Sequence, residues 1–320
     1  MYIRILQMVA LMIAFRVAGI ILRRFTFGSV IISKSSKLIY LIPLGFLGEI
    51  LDINWLTLFH LAPYVLLLKM SVFVVITSAL QIPGMIVPYF VYKFKLPSKE
   101  NYIVKGNYIL PFTGKWTAAN GAVTKKQSHS WSLLPQRYAY DFIIIDDEGK
   151  SFAGDNRSVQ DYYCYGKNII APADGEVVRL SNRYKDSYVD GKNGYCDASI
   201  IAGNYITIKY NDDEYSFIAH IMKDSFTVKV GDKVKQGEVI AKCGNTGNSS
   251  EPHIHFQLNA GKSFNMSAGL PIAFSNIKAN AKENYEKWDK RVTQGEVLKA
   301  HGDGNVYISR GLELENGSSL

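Results

Sequence analysis

Residues 249–258 have the sequence Ser-Ser-Glu-Pro-His-Ile-His-Phe-Gln-Leu. They contain the most informative alternation of polar and apolar residues in the chain. Apolar Ile254 lies between His253 and His255, which is the pattern of a β-strand. Residues two positions apart on a strand point to the same face, so one groove can contain both imidazoles. An H-x-H pair of this kind is either an exposed pair of strand histidines or part of a metal or catalytic site.

Short apolar or alternating stretches separated by Gly, Asn and Asp fill the chain from residue 97 onward, as is typical of strands. We predict strands at 140–145, 176–180, 205–210, 215–221 and 239–243. The sequence therefore predicts an all-β domain of antiparallel sheets that form a groove, over residues 97–277. Helical spacing of apolar side chains begins only at residue 278, so a C-terminal helix (278–290) and tail are expected over 278–320.

Residues 1–96 have a different composition. They contain nine Lys and Arg against two acidic residues, whereas residues 97–320 carry 27 basic and 26 acidic side chains. Apolar runs occur at 5–22, 38–51, 55–68 and 71–92. Runs of this length with few charges indicate an α-helical membrane region of two to four helices, and a soluble helical domain is the alternative. The excess positive charge therefore marks membrane topology, and no nucleic-acid partner is expected.

A cleavable signal peptide is the other interpretation of residues 5–22. Arg16 interrupts this run, and the segment ends at Arg23 and Arg24 without a small-residue cleavage pattern. We therefore expect the segment to stay attached and to anchor the protein in membrane lipid. The domain after residue 96 would then lie outside the cytoplasm.

Cys164, Cys196 and Cys243 are the three cysteines. Their spacing is not that of a zinc ribbon or a C-x-x-C redox site, and the odd count argues against a full disulfide framework. Buried thiols are the first interpretation, and a bridge between Cys164 and Cys196 is the alternative.

Five ordered segments resemble the lysostaphin-type (LytM-like) zinc metallopeptidases, which hydrolyse peptide bonds in peptidoglycan. They are Ala-Pro-Ala-Asp-Gly-Glu-Val (171–177), Gly-Asn-Tyr-Ile-Thr-Ile (203–208), Tyr-Ser-Phe-Ile-Ala-His (215–220), Val-Gly-Asp-Lys-Val-Lys-Gln-Gly (230–237) and Gly-Asn-Thr-Gly-Asn-Ser-Ser-Glu-Pro-His-Ile-His-Phe (244–256). Their order is far more specific than any one of them. The resemblance implies that His255 is a zinc ligand, that His253 is a catalytic base and that His220 is a second catalytic histidine.

The remaining motif of this family is a histidine followed four residues later by a metal-binding aspartate. Asp141 fits the aspartate, but Arg137 occupies the histidine's place. A guanidinium is protonated at any working pH and has no lone pair for a metal, so Arg137 pairs with a carboxylate or binds a substrate terminus instead. His60 lies in an apolar run and His301 in the tail, which leaves His129 as the third ligand or as a structural histidine.

Zinc held by His129, Asp141 and His255 would leave a fourth position for water, whose pKa falls toward 7. The expected activity is that of a membrane-anchored zinc endopeptidase acting on peptidoglycan peptides outside the cytoplasmic membrane. A polar stretch with three tyrosines, residues 182–202, is either one wall of the substrate groove or a surface loop. The alternative to the enzyme is a metal-free relative that serves as a scaffold or activator of other wall hydrolases. A carrier domain is disfavoured, because Gly231 and Asp232 stand where it would need a modifiable lysine.

Overall fold

The computed structural model describes residues 83–189, 200–281, 295–300 and 304–317. Residues 83–91 are helical, and two short 3-10 helices span Leu134–Gln136 and Val159–Asp161. Fourteen strands make up the rest of the regular structure of the described part. They are β1 (Trp116–Asn120), β2 (Tyr140–Ile143), β3 (Asn168–Ile170), β4 (Gly175–Ser181), β5 (Tyr205–Lys209), β6 (Tyr215–Ala219), β7 (Lys233–Val234), β8 (Val239–Lys242), β9 (Ile254–Asn259), β10 (Gly269–Leu270), β11 (Ile277–Ala281), β12 (Leu298–Lys299), β13 (Val306–Tyr307) and β14 (Leu312–Asn316).

Ten strands form one large sheet in the order β11-β14-β1-β2-β9-β6-β5-β4-β7, with β10 paired to β9. The neighbouring strands are antiparallel throughout this sheet. Two small antiparallel pairs, β3 with β8 and β12 with β13, complete the described strands. The prediction of an all-β domain built from antiparallel sheets is confirmed for the described residues.

The core lies on one face of the large sheet. On β9, Ile254, Phe256 and Leu258 are fully buried in it, and Tyr140 and Phe142 of β2 join them. The alternate residues of the same strands point to the opposite face, as the two-residue period of a strand requires. Burial of these apolar side chains therefore fixes which face His255 and its alternating neighbours occupy.

Each of the five predicted strands matches an observed strand to within a residue or two. The observed strands are β2, β4, β5, β6 and β8. Apolar alternation was a reliable signal here because each of these strands buries one face against the core. The differences are confined to strand ends, where β4 is a residue longer at each end than predicted and the other four strands end earlier.

The predicted helix at residues 278–290 is wrong over its first four residues, because 278–281 belong to β11, which pairs with β14 in the large sheet. Ile277 and Ala279 pack against the core, so the two-residue period of this edge strand prevailed over the helical spacing. The rest of that prediction, 282–290, lies outside the described residues. The predicted boundary at 277 thus falls inside the sheet, since β14 also pairs with β1.

The membrane prediction concerns residues 1–96, of which 1–82 lie outside the described residues. In the described part of the chain, no helix has both the length and the apolar character needed to span a bilayer. Residues 83–91 are helical, and their continuation to residue 94 leaves large apolar side chains in solvent: Phe90 is 66% exposed, Val91 68% and Phe94 70%.

Cys164 and Cys243 are buried free thiols, which agrees with the first interpretation of the cysteines. The Cys164 thiol donates a hydrogen bond to the carbonyl of Pro252, 3.0 Å away, directly before His253. Cys196 lies outside the described residues, so the alternative bridge to Cys164 stays a prediction.

Candidate functional site

Asp141 and His255 face each other across the β2–β9 pair, on the sheet face opposite the core. Nδ1 of His255 lies 2.9 Å from Oδ1 of the Asp141 carboxylate. Nε2 of the same imidazole lies 2.9 Å from Oε1 of Gln257, two residues further along β9. If Nε2 carries the proton and donates it to Gln257, the lone pair of Nδ1 points toward Asp141.

His253 precedes β9 and points to the same side as His255, as predicted. Its Nε2 lies 3.6 Å from Oδ1 of Asp141. Its Nδ1 lies 2.8 Å from the carbonyl oxygen of Glu251 and 3.1 Å from the hydroxyl of Ser249. Because a carbonyl only accepts, Nδ1 carries the proton in this contact and Nε2 is left with a lone pair.

His220 follows β6 and has a left-handed backbone, with φ of +62°. This conformation is uncommon for a residue with a side chain and turns the chain sharply at the end of the strand. The backbone is held by a hydrogen bond from the His220 amide to the carbonyl of Ala202 at 3.2 Å. The imidazole Nδ1 donates to the carbonyl of Thr246 at 2.8 Å, and the ring centroid lies 4.5 Å from that of His253.

His129 reaches the same carboxylate from a loop between β1 and β2. Its Nε2 lies 3.4 Å from Oδ2 of Asp141. The loop is folded back by two side chains: the hydroxyl of Ser128 donates to the carbonyl of Arg137 at 2.7 Å, and that of Ser130 to the carbonyl of Gln136 at 2.5 Å. Nδ1 of His129 is buried and has no hydrogen-bond partner within the described ranges.

Among the residues that the structure describes, Arg137 contacts Trp131 and no carboxylate. Its Nε donates to the carbonyl of Trp131 at 3.1 Å, and the guanidinium lies 4.9 Å from the centroid of that indole ring. This is a cation–π contact combined with a hydrogen bond. The arginine in the family's histidine position therefore supports the loop that presents His129.

The charges in the cluster favour an ionised Asp141 carboxylate beside a protonated His255. Burial alone would lower the pKa of His255, but the hydrogen bond to Asp141 and the charge of that carboxylate raise it above its ordinary value. Burial alone would raise the pKa of Asp141, but His129 and the hydrogen bond from His255 hold this pKa well below its ordinary value. Burial lowers the pKa of His220 well below its ordinary value, and His253 and His255 add to the effect. Asn120 also donates to Oδ2 of Asp141 at 3.1 Å.

One group of side chains in the described part of the chain is spaced to hold a metal ion, and the predicted ligand set overlaps it at His255. The nitrogen atoms of His220, His253 and His255 lie within 4.8 Å of one another. The predicted set of His129, Asp141 and His255 is joined through the carboxylate of Asp141. Imidazoles and a carboxylate are the ligands that zinc prefers, so the donor chemistry fits zinc. The structure thus brings all five predicted site residues together without assigning their roles.

Sequence reasoning missed the side chains that hold these groups in place. Gln257 follows His255 by two residues and faces the same side, and its amide also donates to the carbonyl of Pro135 at 3.1 Å. The alternation of β9 could have identified it. Glu251 accepts a hydrogen bond at 2.8 Å from the hydroxyl of Ser151, in a loop a hundred positions away, which no local pattern predicts.

Residues 157–266 match peptidase family M23. Lipoprotein NlpD from Yersinia enterocolitica is 37% identical over 107 residues, which cover 33% of this chain and 92% of that protein. Glycyl-glycine endopeptidase ALE-1 from Staphylococcus capitis is 36% identical over 203 residues, or 61% of this chain and 50% of that protein. Murein hydrolase activator NlpD from Salmonella dublin is 33% identical over 162 residues, or 50% of this chain and 38% of that protein.

Several curated relatives are much longer than the region they share with this chain, which spans between 26% and 38% of their length. The family match begins at residue 157 and includes His220, His253 and His255. Asp141 and His129 precede it, so their assignment depends on the contacts described above.

Proposed function

Because this chain belongs to peptidase family M23, we propose that it is a zinc-dependent endopeptidase that hydrolyses peptide bonds of bacterial peptidoglycan. The observation that supports this activity most directly is the convergence of His129, His253 and His255 on Asp141, within 3.6 Å of its carboxylate oxygens. The name of the glycyl-glycine endopeptidase relative supports the same reaction class.

His129, Asp141 and His255 would hold the zinc ion. Nδ1 of His255 and both carboxylate oxygens of Asp141 point into the cluster. Gln257 would keep a proton on Nε2 of His255, so that the Nδ1 lone pair becomes available to the metal once the Nδ1 proton is lost. When bound, zinc supplies Lewis acidity toward a water molecule and the scissile carbonyl. Outer hydrogen bonds such as that of Gln257 orient ligands and raise their affinity for metal.

His253 and His220 would move protons. The Nδ1–H group of His253 donates a hydrogen bond to the Glu251 carbonyl. Its Nε2 therefore has a lone pair that can accept a proton from the attacking water. The Nδ1–H group of His220 donates a hydrogen bond to the Thr246 carbonyl, so Nε2 is the ring nitrogen available to the substrate. After Nε2 of His220 has taken up the proton that His253 removes from the attacking water, it would hydrogen-bond the developing oxyanion or protonate the leaving amine.

The proposed location is the bacterial cytoplasmic membrane, with the peptidase domain on its outer side. The apolar runs in residues 5–92 support it, and so do the exposed Phe90, Val91 and Phe94 at their end. The similarity to a lipoprotein also supports a location in the cell envelope. Full-length protein should resist carbonate extraction from membranes, and recovery in the soluble fraction would contradict this location.

A metal-free activator of other wall hydrolases is the second candidate. It is favoured by Arg137 in the family's histidine position and by the relative named murein hydrolase activator. As an activator, the protein would bind another wall hydrolase and would release no fragments alone.

Digestion of purified peptidoglycan by the full-length protein, purified in detergent and supplied with zinc, tests the two candidates. The endopeptidase should release fragments whose new amino termini, identified by mass spectrometry, locate the cleaved bond. Asp141→Ala should abolish release, and the exposed Asp155→Ala is the matched control. Wild-type protein that binds zinc but releases nothing would contradict the peptidase, and release of fragments would contradict the activator.

A further inference from the structure

The sheet face that carries the histidines continues into a cleft of about 540 Å³. Phe217 of β6 lies directly opposite Gln257, and Tyr205 of β5 lies opposite Ala219, whose other neighbour on β9 is His255. The cleft therefore starts one residue pair away from the candidate site. It extends across β6, β5 and β4 on the same face.

Three aromatic rings form the floor of this cleft. The rings of Tyr205 and Phe217 are stacked, with centroids 4.8 Å apart and an angle of 27° between their planes. Phe264, from the loop after β9, lies 4.5 Å from Phe217. A flat aromatic surface of this kind can pack against the backbone of an extended peptide.

Two arginines border the aromatic floor. The Arg179 guanidinium donates to the carbonyl of Lys262 and to the hydroxyl of Tyr205, both at 3.2 Å, and lies 5.7 Å from the Tyr205 ring centroid. These contacts hold the guanidinium in place and leave further N–H donors free. Arg183 is exposed at the rim, where its backbone amide donates to Oδ1 of Asn204 at 2.8 Å.

Within the described residues, the cleft carries positive charge without a compensating acid. Arg179 and Arg183 line it, and among the described residues that line it none bears a carboxylate. A guanidinium binds a carboxylate through two parallel hydrogen bonds, which gives geometric selectivity as well as attraction. The cleft thus complements a peptide segment with a negative charge.

The cleft is also joined to the candidate site through the backbone. Ala202 and Gly203 line it, and the carbonyl of Ala202 accepts the amide hydrogen of His220. A Cβ placed on Gly203 would lie 2.3 Å from the carbonyl oxygen of Thr246, the atom that fixes the His220 imidazole. The backbone segment that lines the cleft therefore also holds His220 in place.

We propose that this cleft is a subsite for a carboxylate of the substrate peptide, close to the bond that is cleaved. The proposal rests on the proposed function and names its substrate class: acidic peptides, such as stem peptides with a free carboxylate, rather than uncharged glycine chains. Arg179 and Arg183 bind the carboxylate, and the aromatic floor supports the peptide backbone beside it.

A matched pair of synthetic stem-type peptides tests the subsite, one with a free glutamate carboxylate and one amidated at that position. Fluorescence anisotropy on the full-length protein, in a His253→Ala background, measures binding without turnover. The free carboxylate should bind about tenfold more tightly than the amide, and the ratio should shrink as salt is raised, since both arginines border solvent. Equal binding of the two peptides would overturn the subsite.

Arginine variants locate the effect. Arg179→Gln combined with Arg183→Gln should reduce the binding ratio to about one, while Arg179→Lys should keep part of it. Arg157→Gln, an exposed arginine that does not line the cleft, should leave the ratio unchanged. An unchanged ratio in the double variant would also overturn the subsite.

Cleavage assays on protein that keeps His253 separate this inference from the proposed function. Arg179→Gln with Arg183→Gln should raise KM for the acidic peptide about tenfold and so bring it close to the KM of the amidated peptide. If the protein binds the acidic peptide more tightly than the amidated one but cleaves neither, the subsite is supported and the peptidase activity is contradicted. Cleavage with a strong preference for pentaglycine would keep the peptidase and contradict the subsite.

Discussion

Nε2 of His129 lies 3.4 Å from Oδ2 of Asp141, although the two residues are twelve positions apart in the chain. The loop between them is closed by hydrogen bonds from Ser128 and Ser130 to the backbone just before β2. Arg137, four residues before Asp141, is stacked on Trp131 in the same loop. An imidazole supplied by the loop therefore stands beside the carboxylate.

Substitution of the proposed ligands should lower zinc content. His129→Ala, Asp141→Ala and His255→Ala each remove a donor, so zinc per protein should fall well below one when measured by inductively coupled plasma mass spectrometry. His253→Ala and His220→Ala should keep zinc and lose peptide cleavage by at least a hundredfold. Loss of zinc in these two variants with full occupancy in His129→Ala would instead support the ligand set of His220, His253 and His255.

Replacement of Arg137 should leave zinc bound but loosen the loop. Arg137→Ala removes the contact with the Trp131 ring and one hydrogen bond, so the free energy of unfolding should fall by about 0.5–1 kcal/mol. Urea denaturation followed by circular dichroism measures the change. The exposed Arg157→Ala should have a smaller effect, and loss of zinc in Arg137→Ala would show that the arginine does more than support the loop.

Removal of the Gln257 amide should weaken the metal site without removing a ligand. Its Oε1 accepts from Nε2 of His255, and Gln257→Ala leaves this tautomer unsupported. Zinc affinity should fall about 10–100-fold in a competition assay with a chromogenic chelator. Gln236→Ala, an exposed glutamine outside the site, is the control, and unchanged affinity in Gln257→Ala would exclude this role.

Glu251 should make stability depend on pH. Burial raises the pKa of this carboxyl above its ordinary value of 4.5, so the folded state binds its proton more strongly than the unfolded state. The associated stability is fully present below the ordinary pKa and is lost as pH rises through the folded pKa. Glu251→Gln should therefore be more stable than wild type at neutral pH, with the difference disappearing below about pH 4.5.

Unfolding midpoints in urea, measured at several pH values from 4 to 8, check this prediction. Glu148→Gln, which alters a well-exposed carboxylate paired with Lys150, should show no such trend. A constant difference between Glu251→Gln and wild type across the range would mean that the carboxyl ionises in the fold as easily as in the unfolded chain.

The amino-acid sequence by itself determined the β-rich class of the domain and the common face of His253 and His255. Both follow from side-chain alternation, a local property that burial of Ile254 and Phe256 enforces. The family resemblance, confirmed by the match over 157–266, rested on ordered motifs that are likewise visible along the chain.

Only the tertiary structure decided which distant groups meet. The β2–β9 register placed Asp141 against His255, a folded loop brought His129 to the same carboxylate, and pairing with β14 made a strand of residues predicted to be helical. The cleft with Arg179 likewise depends on three strands lying side by side. Such contacts form between residues far apart in sequence, where packing and strand pairing outweigh local pattern.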